Sequence, residues 1–264
     1  MIHDSNTRTA VVTTVIKTTP AFISKAQELA EELGAPFVLR KKYSIPVIQE
    51  RAQVEAVFVC GNRLELYMNG QMFFYHPGMA TIRIKRLLRG EEDPLLRISQ
   101  LQAGDTVLDC TAGFASDAIV FAYAVGREGK VKGIESEPWI TYLVKKGLHM
   151  GYPEFPELDE AMRRVRICQG SHEEHLASLP DKSYDIVYFD PMFRRTVAQS
   201  AGIDLLREIG NDHPLTTDTI RQAMRVARKR VIVKERFFSS EFERLGLTKV
   251  EKGAMNIAYG YIDL

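Results

Sequence analysis

From residue 104 onward, short apolar runs alternate with segments whose apolar residues recur every three to four positions. Bounded apolar runs of four to eight residues read as buried strands, and the three-to-four spacing reads as amphipathic helix. The pattern predicts strands over 106–109, 130–134, 165–168, 186–189 and 230–233. Between them it predicts helices over 116–125, 138–149, 172–178 and 217–227. Pro138 falls in the first turn of its helix, where a missing N–H costs nothing. The run Gly210-Asn211-Asp212-His213-Pro214 reads as a loop ahead of the last helix. Such alternation predicts an α/β fold with a parallel sheet and crossover helices. The tail departs from it: 247–251 and 254–264 alternate in character around Lys252-Gly253, which predicts an antiparallel hairpin.

The first 78 residues carry a different pattern, a small α+β unit. Strands are expected over 11–16, 54–60, 64–68 and 71–75, with an amphipathic helix over 21–33 closed by Gly34. Gly61-Asn62 and Asn69-Gly70 supply the turns between the last three strands. Two helices, 81–90 and 93–101, are expected to bridge this unit to the main sheet. The expected domains are therefore 1–78 and 79–264, with 79–103 as the bridging segment.

Composition narrows the possibilities. An apolar content of 45% and a charged content of 26% are those of a globular chain. With a net charge of +1, nucleic-acid binding would have to rest on local patches. Candidates are Arg40-Lys41-Lys42, Arg194-Arg195, and the crowd Arg221, Arg225, Arg228, Lys229 and Arg230 at one helix end. A run of charges on a helix is also the ordinary form of a solvated face. No apolar run reaches the roughly 20 residues that span a bilayer, and no signal peptide is visible. Cys60, Cys110 and Cys168 are far apart and odd in number, so buried reduced thiols in a cytoplasmic protein are expected.

The chemistry-bearing residues fall at the carboxyl ends of the predicted strands, where ligands bind in doubly wound sheets. After the first strand come Asp109, Thr111, Ala112, Gly113, Ala115 and Asp117. Glu135 and Ser136 follow the second strand, and Ser171 follows the third, placed to touch an adenine edge. Glu135 lies a little beyond the roughly 20-residue spacing of a ribose-binding acid. Trp139 is equally an adenosine contact or a core residue. A nicotinamide or flavin site would need Gly-x-Gly-x-x-Gly, and a P-loop would need Gly-Lys-Ser/Thr; neither occurs. A donor without phosphates, S-adenosyl-L-methionine (SAM), suits this loop better. After the fourth strand stands Asp190-Pro191-Met192-Phe193: a carboxylate, a backbone-fixing ring and an aromatic face, suited to holding a planar amine. His172-Glu173-Glu174-His175 lacks the i, i+4 spacing of a zinc helix, so no metal is expected.

Five parallel strands closed by a hairpin is the layout of the class I methyltransferase form of the Rossmann-like sheet. In its motifs the chain resembles the bacterial small-subunit ribosomal RNA guanine-N2 methyltransferases. Asp109-Cys-Thr-Ala-Gly113 with Asp117-Ala118 is similar to that family's Asp-Ala-Thr-Ala-Gly-x-Gly-x-Asp-Ala signature, with Ala115 in place of its second glycine. Glu135-Ser-Glu-Pro138 resembles its ribose segment, Asp190-Pro-Met-Phe193 its target-amine motif, and Val231-Ile-Val-Lys234 its next strand. Arg83 and Arg86 loosely match its basic segment ahead of the first strand. The resemblance covers about 78–236 and has no counterpart for the N-terminal unit. It implies SAM as cofactor, S-adenosyl-L-homocysteine as product, and ribosomal RNA or the small ribosomal subunit as partner. It implies RNA methylation, a step of rRNA processing, with Asp190, Pro191 and Phe193 on the acceptor side. Lys234 is left with two roles, a contact to phosphate or base, or a partner for Glu235 or Asp190. Other readings remain open at this point: a methyltransferase of DNA, protein or a small molecule, or a degenerate methyltransferase fold that only binds RNA or protein.

Overall fold

The computed structural model describes residues 9–191, 214–253 and 255–264. The chain divides into two compact units, Met1–Tyr75 and His76–Leu264.

In the first unit, β1 (Ala10–Thr14) runs parallel to β2 (Ala56–Cys60), and β3 (Leu64–Met68) and β4 (Gln71–Phe74) continue the sheet antiparallel. Between β1 and β2 lies α1 (Pro20–Leu33), which buries Ala26, Leu29 and Ala30. Thr19 caps its first turn by accepting the Phe22 N–H, and Gly34 ends it in the left-handed region at φ 61°. The β3–β4 turn has Asn69 at φ 53° and Gly70 at φ 73°, the two positive values a two-residue hairpin demands. A second helix, α2 (Ile45–Ala52), was not expected from the pattern. It is only eight residues long, and its signal reduces to Ile45 and Ile48, which join Val11, Val57 and Val59 in the core.

The second unit opens with α3 (Met79–Leu88) and α4 (Pro94–Ser99) and then builds a seven-stranded sheet. Its strands are β5 (Thr106–Asp109), β6 (Lys130–Glu135), β7 (Val165–Gln169), β8 (Tyr184–Phe189), β9 (Ala227–Arg236), β10 (Lys249–Lys252) and β11 (Ile257–Asp263). Their spatial order is β10-β11-β9-β8-β5-β6-β7, parallel from β9 to β7, with β11 antiparallel to both β9 and β10. The sheet is thus the predicted class I arrangement, five parallel strands closed by a hairpin. The order reverses beside β5, so a crevice opens past its carboxyl end.

Crossovers are made by α5 (Ser116–Val125), α6 (Pro138–Met150), α7 (Pro156–Arg164), α8 (His172–Ser178) and α9 (Thr217–Val226), and α10 (Glu241–Arg244) follows β9. Helix α7 escapes the pattern because Glu157, Asp159, Glu160, Arg163 and Arg164 dominate it, although Leu158, Ala161 and Met162 are fully buried at helical spacing. Strand β9 is longer than expected at both ends. Of its extra residues, Ala227 pairs with β8, and the charged Lys234, Glu235 and Arg236 pair with β11.

The basic residues around the end of α9 and the start of β9 have acidic partners. Arg225 pairs with Asp181 at 2.7 Å, Arg228 with Asp185 at 2.8 Å, Lys229 with Asp105 at 2.6 Å, and Arg221 with Asp218 at 2.6 Å. Arg230 is buried against Asp263 and the Ile98 carbonyl. Asp105 and Asp185 stand at the amino ends of β5 and β8, the edge opposite the crevice. Each cation at the end of α9 thus has a carboxylate partner, although Arg221 and Asp218 pair on the exposed surface.

Cys60, Cys110 and Cys168 are free thiols; the first two are buried, and Cys168 is half-buried. Burial pushes the Cys60 thiol up to about 11. Among the described residues no helix is long and apolar enough to cross a membrane.

Candidate active site

The crevice at the carboxyl ends of β5, β6 and β8 holds a cavity of about 430 Å³. Of the residues singled out from sequence, Asp109, Thr111, Ala112, Gly113, Asp117, Glu135, Ser136, Asp190 and Pro191 line it. Two others do not. Ala115 is fully buried, and Ser171 spends its hydroxyl capping α8 by accepting the Glu173 N–H at 3.1 Å. Trp139 also stands outside the lining, whereas Gly170 and His172, on either side of Ser171, are in it. Met192, Phe193, Arg194 and Arg195 lie outside the described residues.

The loop from Asp109 to Ala115 is tied down by its own backbone. Cys110 N donates to the Tyr188 carbonyl at 2.8 Å and Ala112 N to the Ile134 carbonyl at 2.9 Å, which pins the loop to β8 and β6. Asp109 accepts the Thr111 N–H at 3.0 Å, and the Thr111 hydroxyl accepts the Asp190 N–H at 2.6 Å. One threonine thus couples the first loop to the Asp-Pro motif. Gly113 and Ala115 are both left-handed, at φ 50° and 63°. The glycine that the family signature has at position 115 therefore serves backbone geometry, and alanine adopts that geometry at a cost.

Glu135 ends β6 with both carboxylate oxygens engaged. Oε2 accepts the Gly113 N–H at 3.1 Å, and Oε1 accepts the Glu137 N–H at 2.7 Å. Burial raises its pKa, and these backbone bonds oppose the rise. The Ser136 hydroxyl donates more distantly to Oε1 at 3.5 Å. A carboxylate offers about four lone-pair sites, so acceptor capacity remains for a further hydroxyl, and for a second if Ser136 turns away.

Deeper in the cavity sits an ionic network whose full extent the sequence did not reveal. Lys234, from β9, donates to Asp190 Oδ2 at 2.7 Å and to Asp117 Oδ2 at 3.1 Å. Asp117 also accepts the Tyr188 hydroxyl at 2.8 Å and pairs with Arg83 of α3. Arg83 in turn grips Asp93 through two bonds of 2.7 and 2.8 Å. Burial opposes ionisation of Asp117, but Lys234 and Arg83 outweigh it and hold its carboxyl below the usual range. Asp190 is shifted the other way: burial raises it, Lys234 counteracts, and the charge on Asp117 adds to the rise. Burial likewise pushes Asp109 well up, and the repulsion of Asp117 adds to it. His172 packs edge-on to Phe189 at 5.8 Å, and burial lowers its pKa, which favours the neutral ring. No group of three or more metal-ligating side chains occurs among the described residues.

A family model of SAM-dependent methyltransferases matches residues 39–242, most of the chain. The chain belongs to that family. A SAM-dependent methyltransferase from Neisseria gonorrhoeae has the same fold, with a TM-score of 0.61 at 16% identity over 97% of this chain and 96% of that one. Uncharacterized protein YpiP of Bacillus subtilis (strain 168) is 40% identical over 253 residues, 96% of this chain and 98% of the relative. Ribosomal RNA small subunit methyltransferase J of Shewanella amazonensis is 28% identical over 194 residues, 72% of this chain and 76% of its own. The protein of that name from Aeromonas salmonicida is 33% identical over 153 residues, 55% and 59% of the two chains.

The enzyme is thus a SAM-dependent methyltransferase, and its cavity suits that cofactor. Six acidic side chains, Asp93, Asp109, Asp117, Glu135, Glu137 and Asp190, share the lining with three basic ones, Arg83, Arg86 and Lys234, so acids outnumber bases on the wall offered to a cationic ligand. The Ser116 hydroxyl, also in the lining, is buried with no hydrogen-bond partner among the described residues and has bonding capacity to spare. Ile134, Ile140 and Leu215 supply apolar wall for an adenine ring. In this fit Glu135 would take the ribose hydroxyls. Glu135→Ala is then expected to weaken SAM binding by roughly ten- to a hundredfold, the loss of charge-assisted hydrogen bonds. Calorimetric titration measures it, and an unchanged affinity would remove Glu135 from the cofactor site.

Proposed function

We propose that this methyltransferase modifies the exocyclic N2 amine of a guanine in small-subunit ribosomal RNA, acting in the cytoplasm. The observation that carries the reading is the position of Asp190 and Pro191. They follow β8 directly and stand in the cavity wall, coupled through Thr111 to the loop assigned to the cofactor. The relatives named ribosomal RNA small subunit methyltransferase J support the choice of substrate.

SAM, when bound, supplies an electrophilic methyl group and its own leaving group. The chain's task is to hold the acceptor nitrogen in line and in contact, an effect worth up to roughly 7–11 kcal/mol. A guanine amine is a poor nucleophile, because its lone pair is delocalised into the ring. With Asp190 Oδ2 committed to Lys234, Oδ1 is left to accept one amine N–H, and the Pro191 carbonyl accepts the other. Both bonds draw the nitrogen toward tetrahedral geometry and return its lone pair. Phe193 is assigned to stack on the base, a contact worth roughly 1–3 kcal/mol. A base in a helix must first leave its stack.

The test is methyl transfer to deproteinised small-subunit RNA, assembled small subunits, duplex DNA and free guanosine, followed by mass mapping of the product. A single N2-methylguanine in the RNA is the expected result. Transfer to DNA or to a small acceptor, with none to RNA, would sink the reading.

A further inference from the structure

We propose that the loop carrying Arg40, Lys41 and Lys42 in the first unit is a docking surface for the phosphate backbone of the RNA substrate. The inference rests on the reading of the enzyme as an RNA methyltransferase, and it concerns a part of the chain for which that reading has no role.

Two basic runs singled out in the sequence can be compared with their surroundings. The cations at the end of α9 each have a carboxylate partner within the second unit. Arg40, Lys41 and Lys42 are different. Among the described residues no carboxylate forms an ion pair with any of the three, nor with Arg51 of α2. Lys41 and Lys42 are exposed, and Arg40 is half-buried. In the same unit Glu65 is already engaged, by Arg63 at 3.0 Å and by the Tyr67 hydroxyl at 3.0 Å.

The loop is also well built. Ahead of it, Val12 N donates to the Pro36 carbonyl and Val38 N to the Val12 carbonyl, both at 2.9 Å, which fastens the segment to the free edge of β1. Its turn is closed twice, by Tyr43 N to the Arg40 carbonyl at 3.0 Å and by Arg40 Nε to the Tyr43 carbonyl at 3.2 Å. Lys41 sits at φ 50° within the turn. The Arg51 guanidinium lies over the Tyr43 ring, 4.3 Å from its centroid, and Tyr43 is 37% exposed. The result is three consecutive cations on a fixed turn, beside an aromatic–arginine pair.

Cations without carboxylate partners are what a polyanion recognises, because each phosphate they neutralise releases a counterion. An exposed aromatic next to them offers a stacking face to an unpaired base. With a chain close to neutral overall, such a local patch is where sequence-independent RNA affinity would come from. A turn already closed by hydrogen bonds also keeps the backbone ordering cost of binding small.

The test uses the full chain, with deproteinised small-subunit RNA as probe. Wild type is compared with the triple variant Arg40→Gln/Lys41→Gln/Lys42→Gln and with the charge-conserving Lys41→Arg/Lys42→Arg. The triple variant should lose roughly tenfold or more in RNA affinity at moderate salt. The slope of log K against log salt should become shallower by about 2–3, at 0.7–0.9 per phosphate contact. KM for RNA should rise, with kcat at saturating RNA and the SAM dissociation constant unchanged; the arginine variant should match wild type. Equal RNA affinity and equal slope in the triple variant, with wild type methylating the RNA, would overturn the docking surface alone. Wild type that neither binds nor methylates the RNA would overturn the docking surface and the substrate reading together.

Discussion

Replacing Asp190 with alanine is expected to lower kcat for RNA methylation by at least about a hundredfold, with SAM affinity changed by no more than about threefold. Removing one preorganised hydrogen-bonding group aimed at a reacting centre typically costs two to three orders of magnitude. Asp190 has the geometry for that assignment. Its backbone N–H is held by Thr111 and one carboxylate oxygen by Lys234, so the other is presented in a fixed direction. The variant also leaves Lys234 its second carboxylate, Asp117, so the network survives and the fold should persist. Asp190→Asn is the finer probe: it keeps the shape, loses the charge, and should fall between alanine and wild type. Single-turnover methylation separates the chemical step from binding, and calorimetry reads SAM affinity. A large loss of SAM affinity with little loss in the single-turnover rate would move Asp190 to the cofactor end of the cavity.

The sheet was legible in the sequence because its strands are apolar on both faces. Val107, Leu108, Ile186, Val187, Val231 and Ile232 are all fully buried, and such runs announce themselves without periodicity. Elements whose stability comes from a few buried residues among many charges were harder to see. Helix α7 rests on Leu158, Ala161 and Met162, and the ends of β9 rest on ladder bonds and ion pairs. Asp109, Gly113, Glu135 and Asp190 could be placed from sequence because each sits at a strand end or in the loop after one, and the fold brings strand ends together. The ionic network could not be read in full. Asp117–Tyr188, Asp117–Lys234 and Arg83–Asp117 join residues from four elements far apart in the chain. Nothing in local spacing selects among the available acids, although pairing of Lys234 with Asp190 was one of two roles left open. The spacing of His172 and His175 raises only the question of metal ligation, whereas the place of His172 in the cavity wall follows from the turn after β7.

Lys234→Met should have the largest effect on stability, about 3 kcal/mol near neutral pH, and should move the pH dependence of catalysis. Lys234 is mostly buried between two carboxylates, at 2.7 Å from Asp190 and 3.1 Å from Asp117. Burial disfavours its charge, but the two acids more than compensate and hold it above the usual lysine range. Removing one partner from a buried ionic cluster typically costs about 3–5 kcal/mol. The lower end applies here, because Asp117 keeps Arg83 and the Tyr188 hydroxyl, and Asp190 retains some exposure. Asp190 loses its directly bonded cation, so its pKa, already raised by burial, rises further. A carboxyl whose folded pKa lies above its unfolded value penalises folding above that folded pKa and does not penalise it below the unfolded one, about 3.9. The stability gap between wild type and variant should therefore be widest near neutrality and narrow as the pH falls toward the ordinary carboxylate range. If catalysis needs Asp190 ionised, the acid limb of kcat/KM moves to higher pH in the same variant. Lys234→Arg, which keeps the charge, should restore most of the stability and return the limb toward its wild-type position. Denaturant titrations at several pH values, run beside pH–rate profiles, read both effects. An unshifted acid limb together with an unchanged stability gap would show that Lys234 does not hold Asp190.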